Sequence, residues 1–450
     1  MKILLTVHQF LPKYASGTEV LTYETARRLI ELGHDARVLT AEPTDYETAL
    51  QGGVMVDHYK EITVYRVNHH LGVTPNPVRY EYANRFIYEK VSDIIQEFEP
   101  DIFHIMHASR LSAAIIDAAK EKHIPVVLTA TDFWFVCPLS QLRLLDNSPC
   151  IGPSINSTNC LRCYVSKTQP QSVIESFNKI PSPFLCLING FAKFSFAEKW
   201  EKGKMARALV RRKGYMHRQL DKIDQVIAPT DLMCKILEKN GVSKAKISKL
   251  HYGINLDYTT EEIEPKRYNG KIKFGFIGTI YEHKGVHILI KAFRKLREKY
   301  DNVELKIYGD LSHFPDYVNE LKELAANDSK ISFLGTFPNN EIGNIFREID
   351  ILIVPSIWYE NTPLVIYSAF STKTPVIATN LGGMTEVVSH SHNGFIFEKE
   401  NVPDLKNQME RFLLDESLLE TLSKNAPIVK SIRENVSELV TVYDSLLNKV

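Results

Sequence analysis

Residues 273–308 read K-F-G-F-I-G-T-I-Y-E-H-K-G-V-H-I-L-I-K-A-F-R-K-L-R-E-K-Y-D-N-V-E-L-K-I-Y. A buried strand fits Lys273–Ile277, a helix fits Val286–Lys299, and a second strand fits Glu304–Tyr308. Short β-branched runs separated by amphipathic helical stretches are the pattern of parallel α/β layers. The pattern continues with a helix near Tyr317–Ala326 and strands at Ile331–Leu334, Ile351–Val354 and Val376–Ala378. The first half of the chain shows the same alternation. Lys2–Val7 is a strand, and Gly17–Leu32 carries Val20, Leu21, Ala26, Leu29 and Ile30 at helical spacing before Gly33 as its C-cap. Ala36–Thr40, Ile102–Ile105, Val126–Thr129, Asp224–Ala228 and Ile247–Leu250 supply further strands, with a helix over Ile115–Ala119.

At 450 residues the chain is long for one core and suits two domains. No repeat of short fixed period is present, so two doubly wound domains are expected rather than a solenoid. The expected division is an N-terminal Rossmann-like domain over 1–256 and a linker over 257–270, polar and holding Pro265. A second domain then covers 271–428, and a C-terminal helix over 429–450 packs back on the first. Two such domains facing each other would form a cleft at the carboxyl ends of both sheets, where open α/β proteins bind ligands.

The composition is that of a globular protein, 44% hydrophobic and 24% charged, with a formal net charge of zero. No global field therefore recruits nucleic acid or membrane, and any such attraction must be local. No apolar run approaches the ~20 residues of a membrane helix. The opening M-K-I-L-L-T-V-H-Q-F is too short an apolar run for a signal-peptide core. A cytoplasmic protein with reduced cysteines is the expectation, so clustered thiols point to metal before disulfide. A dinucleotide oxidoreductase is the competing reading of the periodicity. Against it, the first strand is followed by H-Q-F-L-P-K-Y-A-S-G-T rather than G-x-G-x-x-G. No D-x-D motif is present to suggest a metal-dependent, single-domain glycosyltransferase.

The ordered set F-G-F-I-G-T-I-Y-E-H-K-G-V, I-Y-G-D, F-L-G and P-S-I-W-Y-E-N-T-P-L-V-I-Y-S-A-F-S-T-K-T-P-V-I-A-T-N-L-G-G-M-T-E resembles glycosyltransferase family 4, the retaining, group 1-like type. T-E-V-L-T-Y-E-T-A-R-R-L-I-E-L-G-H, T-D-F-W-F-V-C-P, I-A-P-T and H-Y-G-I-N extend the resemblance to most of the chain. It implies the GT-B fold and transfer of a sugar from a nucleotide-diphosphate sugar, with retention, to a glycan or lipid-linked acceptor. A role in cell-surface polysaccharide synthesis follows as the expected setting, with no cofactor in catalysis.

Breaking a sugar–phosphate bond leaves a diphosphate, so positive groups must meet charge that grows in the transition state. Lys284, in a strand-to-helix loop, supplies a point charge. Asn361, Thr362 and Pro363 open a helix whose exposed amides, chiefly of Leu364 and Val365, suit diphosphate oxygens or sugar hydroxyls. Glu360 would accept bonds from the donor sugar, as its family counterpart does. Gly278, Thr279, Gly309, Asp310 and Gly335 complete the donor loops, and Gly382 and Gly383 mark a loop that can approach a ligand closely. Two positions depart from the family pattern. The second glutamate of its E-x7-E motif falls on Ser368, and the basic residue after the first strand is Thr279. A serine or threonine supplies one hydrogen bond and no charge.

In the first half, Gly17 and Thr18 match the glycine-bearing loop that touches acceptor or donor phosphate in related enzymes. Thr131–Asp132 stands where the family commonly has His–Asp. Asp132 could position a hydroxyl or act as a weak base; Thr131 cannot take a proton as His would. A lone His by a strand end is more often a satisfied structural group, so His104 and His107 are held only in reserve as substitutes. With no evident nucleophile, retention favours front-face attack in which the leaving phosphate helps deprotonate the acceptor. A glycosyltransferase-shaped binding or scaffold subunit without turnover is the alternative.

Cys137, Cys150, Cys160 and Cys163 form C-x12-C-x9-C-x2-C in a loop-rich segment, a donor set for structural zinc. Residues 180–200 are apolar and aromatic. They run into a helix with Lys199, Lys202, Lys204, Arg207, Arg211, Arg212, Lys213 and Arg218, a combination that fits peripheral docking on the anionic inner face of a membrane. A solvated basic face beside a local apolar cluster is the plainer account of the same residues.

Overall fold

The computed structural model describes residues 1–43, 53–69, 74, 76–192, 201–258, 263–361 and 363–448. Thr362, Lys199, the rest of the 193–200 segment and residues 259–262 of the expected linker lie outside the described residues. The chain divides into two compact units, Met1–His251 with Asn435–Val450, and Tyr252–Glu434.

Among the described residues the first unit holds an eight-stranded sheet. Its strands are β1 (Lys2–Val7), β2 (Asp35–Pro43), β3 (Val54–Tyr59), β4 (Ile62–His69), β5 (Ile102–Ile105), β6 (Val126–Thr129), β7 (Gln225–Ala228) and β8 (Ile247–Lys249). The order is β3-β4-β2-β1-β5-β6-β7-β8, parallel except for β3 on β4. The inner strands β5 and β6 are buried at every residue, as strands covered by helices on both faces must be. The strand order reverses around β1, which pairs with β2 on one side and β5 on the other.

The second unit is a six-stranded parallel sheet among the described residues. It comprises β9 (Ile272–Ile277), β10 (Val303–Tyr308), β11 (Ile331–Gly335), β12 (Ile351–Val354), β13 (Val376–Thr379) and β14 (Gly394–Phe397), in the order β11-β10-β9-β12-β13-β14. The helix Val286–Arg297 lays Val286, Leu289, Ile290, Phe293 and Leu296 on this sheet, where Phe293 meets Phe274 edge-on at 6.4 Å. Here the reversal lies between β9's neighbours, β10 and β12.

His104 on β5 is fully buried. Its Nδ1 lies 2.6 Å from the Tyr443 hydroxyl and its Nε2 2.8 Å from Thr129 Oγ1. Burial pushes its pKa down to about 3, so the ring is neutral. Tyr443 belongs to the helix Ile432–Leu447, and the imidazole thereby ties that helix to β5 and β6. His104 is a structural residue and not a substitute for the missing family histidine.

Candidate active site

In the second unit the loops leaving β9, β10 and β11 are joined through their glycines. The Gly278 amide donates to Tyr308 O at 3.1 Å, and the Gly309 amide to Gly335 O at 2.9 Å. After β9 the chain makes a 3-10 turn over Glu282–Lys284 and enters the helix Val286–Arg297 through Gly285, at φ +73°. The Ile357 amide beyond β12 donates to His283 O at 2.9 Å, which holds this turn against the segment carrying Glu360. Lys284 and Glu360 are thus brought together by the two strands that flank the sheet's reversal point, where open α/β sheets bind ligands.

Glu360 is 6% exposed. Its Oε1 accepts from Lys284 Nζ at 2.6 Å, Ser356 Oγ at 2.7 Å and Trp358 Nε1 at 2.8 Å. Burial works to raise the carboxyl's pKa, but Lys284, Ser356 and Trp358 outweigh it and hold it below the usual range. The Lys284 ammonium also lies 5.3 Å from the centroid of the Trp358 ring. None of these bonds uses Oε2. Ser356 and Trp358 fall in the motif around Glu360, and that proximity is their only signal in the sequence.

The other donor-side residues fall into place unevenly. Pro363 is the N-cap, not the first residue, of the helix Leu364–Ser371, and the amides of Leu364 and Val365 open that helix. The Asn361 side chain is buried and donates to Tyr252 OH at 3.3 Å. The Gly383 amide donates to Glu360 O at 2.9 Å, so the β13 loop with Gly382 packs directly on the glutamate's backbone. Thr279 is half-buried at the end of β9. Asp310 is exposed and engaged by its own loop, accepting from the Ser312 amide at 2.6 Å and hydroxyl at 2.7 Å and from the His313 amide at 3.0 Å. Ser368 is buried with its hydroxyl donating to Leu364 O at 3.3 Å, a bond within its own helix.

In the first unit a cluster forms at the carboxyl ends of β1, β5 and β6. Asp132 accepts from His107 Nε2 at 2.8 Å and from the Trp134 amide at 2.8 Å. The Ser109 amide donates to His107 Nδ1 at 3.0 Å, which assigns the neutral ring its proton on Nε2. Burial opposes the charged form of both partners, yet their mutual attraction wins, raising His107 and lowering Asp132. His8, just past β1, packs against His107 with ring centroids 4.2 Å apart and planes tilted by 44°, and reaches Glu19 at 3.3 Å. Burial pushes His8 well down and Glu19 up. His8 and Glu19 had no assigned role in the sequence, although Glu19 follows Gly17 and Thr18 directly in the first turn of the helix Gly17–Glu31. Gly17 is exposed, and the Thr18 carbonyl accepts from Thr22 Oγ1 at 2.7 Å. Thr131 turns its hydroxyl to Met106 O at 2.7 Å and so braces the β5 loop.

The four cysteines lie in and around the helix Thr158–Thr168 and the loop before it. Burial raises the thiols of Cys150, Cys160 and Cys163, the last to about 11, and the neighbouring cysteines add to the effect. The donor chemistry suits zinc. Among the described residues, however, no three His, Cys, Asp or Glu side chains are disposed to hold a metal ion. No helix among those residues is long and apolar enough to cross a membrane.

Comparison with known proteins places these features in a family. Residues 257–429 match the family described as Glycosyl transferases group 1, and residues 15–147 match Glycosyltransferase Family 4. A Bacillus subtilis protein named as a glycosyltransferase is 31% identical over 182 residues, 38% of this chain and 45% of its own. The capsular polysaccharide biosynthesis glycosyltransferase CapM of Staphylococcus aureus is 26% identical over 249 residues, 50% of this chain and 62% of its own. The chain thus spans about half the length of the curated relatives it matches. Among solved structures, Anabaena HepE in complex with UDP-glucose superposes with a TM-score of 0.62 at 17% identity, covering all of both chains. That likeness shows the fold, the two-domain GT-B type. The chain is a family 4, group 1 glycosyltransferase-like protein.

Proposed function

We propose that the protein transfers a sugar from a nucleotide-diphosphate sugar to a glycan or lipid-linked acceptor, with retention of configuration, in cell-surface polysaccharide synthesis. The observation that carries this reading is the Lys284–Glu360 pair. Three donors converge on one carboxylate oxygen, leaving Oε2 for a sugar hydroxyl and a cation beside it for the diphosphate. The amides opening the helix Leu364–Ser371 add donors for the same anion. In front-face attack the departing phosphate takes the acceptor proton, and within the first unit His107–Asp132 is a pair suited to orienting a sugar hydroxyl. The UDP-glucose bound to HepE and the polysaccharide role in CapM's name support the donor class and the setting.

Calorimetry with a panel of nucleotide sugars, followed by a hydrolysis assay on each binder, tests it. Binding of at least one nucleotide sugar with slow hydrolysis is expected. Binding with no hydrolysis and no transfer favours a scaffold subunit, a reading motivated by Ser368, uncharged and with its hydroxyl donating to Leu364 O, and by the uncharged Thr279.

The same cysteine-rich segment is proposed as a zinc site that needs side-chain rearrangement to close. Protein purified without chelator is then expected to carry about one zinc per chain, and a metal-free, fully folded preparation would end that proposal.

A further inference from the structure

We propose that the helix Ser182–Phe191 and the turn beside it form a membrane-docking surface that inserts into an anionic lipid bilayer. The helix exposes Phe184 (59%), Leu187 (64%), Ile188 (44%) and Phe191 (61%). Their spacing, i, i+3, i+4 and i+7, makes one continuous apolar stripe. Leu185 and Asn189 point the other way and are buried, Leu185 in a small core with Leu161, Val165 and Leu209. The stripe is therefore the outer face of a helix whose inner face is already satisfied. Single exposed apolar side chains are ordinary, whereas four large ones in register mark an interaction site.

The stripe is extended by Ile155, the most exposed apolar residue nearby at 78%. Asn156 Nδ2 donates to Cys186 O at 3.0 Å, and Cys186 Sγ donates to Ile155 O at 3.8 Å, so this turn is fastened to the helix.

Charge decides the occupant. No acidic residue occurs between Glu175 and Glu198, and the helix itself carries no charge. The adjoining helix Glu201–Lys222 holds eight Lys and Arg against one Glu and one Asp, of which Arg207 and Arg212 are buried and Lys222 pairs with Asp117, leaving five cations for the surface. Its exposed Lys213 donates to Pro153 O at 3.2 Å, two residues from Ile155. Lys202, also exposed, is eleven residues and about three turns earlier, hence on the same side. An apolar wedge edged by cations matches the two attractions of an anionic membrane surface, acyl burial and headgroup charge. A 10-residue helix is only about 15 Å long. Its outer stripe falls short of the roughly 800 Å² per partner that a stable dimer buries.

The inference does not depend on the donor chemistry proposed above. Its test is flotation of the full chain with phosphatidylcholine vesicles, with and without phosphatidylglycerol, at low and high salt. Wild type is expected to float with the phosphatidylglycerol vesicles only, and less so at high salt. Phe184→Ser/Phe191→Ser should lower the partition coefficient at least tenfold with unchanged circular dichroism and unchanged nucleotide-sugar binding. Lys202→Gln/Lys213→Gln should weaken binding and flatten its salt dependence. The proposal is overturned if wild type fails to bind, if the double Phe variant floats as well as wild type, or if wild type is a dimer that the Phe substitutions split.

Discussion

Lys284→Ala is expected to reduce sugar transfer by about 10²- to 10³-fold, the loss typical of removing one group that stabilises charge developing in a transition state. It should also destabilise the second unit, by about 2 kcal/mol, because a charge-assisted bond to a buried carboxylate is broken. In the wild type Glu360 has a lowered pKa. Its contribution to stability is therefore fully present above the unfolded carboxyl pKa and is lost as pH falls through the folded one. Without Lys284 the largest opposing influence, burial, dominates and the pKa rises, so the sign reverses. The variant's deficit is then greatest at neutral pH and shrinks in mild acid as Glu360 takes a proton. Lys284→Met/Glu360→Gln removes both charges. It should recover most of the stability lost by Lys284→Ala and none of the activity. Denaturant unfolding at neutral and acid pH, with hydrolysis and transfer assays on all three variants, separates the two roles. Activity within twofold of wild type in Lys284→Ala would remove this residue from the chemistry.

The parts of this molecule that were legible in its sequence are those whose signal is local. Parallel strands buried on both faces, such as β5 and β6, need largely apolar runs, and Ile102–Ile105 and Val126–Thr129 supply them, broken only by His104 and ended by Thr129. The pair β3–β4 was not legible. Its edge strand V-M-V-D-H-Y alternates imperfectly and leaves Met55 and Val56 about half exposed, so it offers no clean apolar face. The site divides in the same way. Lys284 and Glu360 were found through motifs, but that they share a bond is a tertiary fact set by the His283–Ile357 tie. Ser356 and Trp358 look like filler in P-S-I-W-Y-E until three donors are seen to meet on one oxygen. His104 has a chemist's residue type near a strand end, where a satisfied structural group is the commoner case, and it proves to be a buried strut for Tyr443. Residue type and place at a strand end do not separate a reactive imidazole from a structural one; the partners on both nitrogens do. His107 differs from His104 in having a carboxylate, that of Asp132, on one nitrogen and a backbone amide on the other.

The same dependence of the site on backbone contact leads to the largest expected loss of stability from a single methyl group. Gly285 has φ +73° and separates the Lys284 turn from the helix Val286–Arg297. A Cβ there would sit 1.9 Å from Pro355 O and 2.8 Å from Pro355 C, and a backbone carbonyl has no rotamer by which to yield. Gly285→Ala must therefore push the end of β12 away from the β9 loop, the two segments that carry Glu360 and Lys284. Left-handed strain alone costs an alanine about 1 kcal/mol, and overpacking against fixed backbone adds roughly 1–3 kcal/mol. The expected total is about 3 kcal/mol. Gly270→Ala is the internal control, since Gly270 is also left-handed, at φ +89°, but a Cβ there meets nothing within 4 Å. That change should cost only the strain. Because the two units need not unfold together, the comparison calls for calorimetry or hydrogen exchange that resolves the second unit's transition. Gly285→Ala should lower that transition well below Gly270→Ala and abolish nucleotide-sugar binding with it, while the first unit's transition stays in place. Equal costs for the two substitutions would mean that the β9 and β12 segments are not held in contact at Pro355, and the Lys284–Glu360 bond would lose its structural basis.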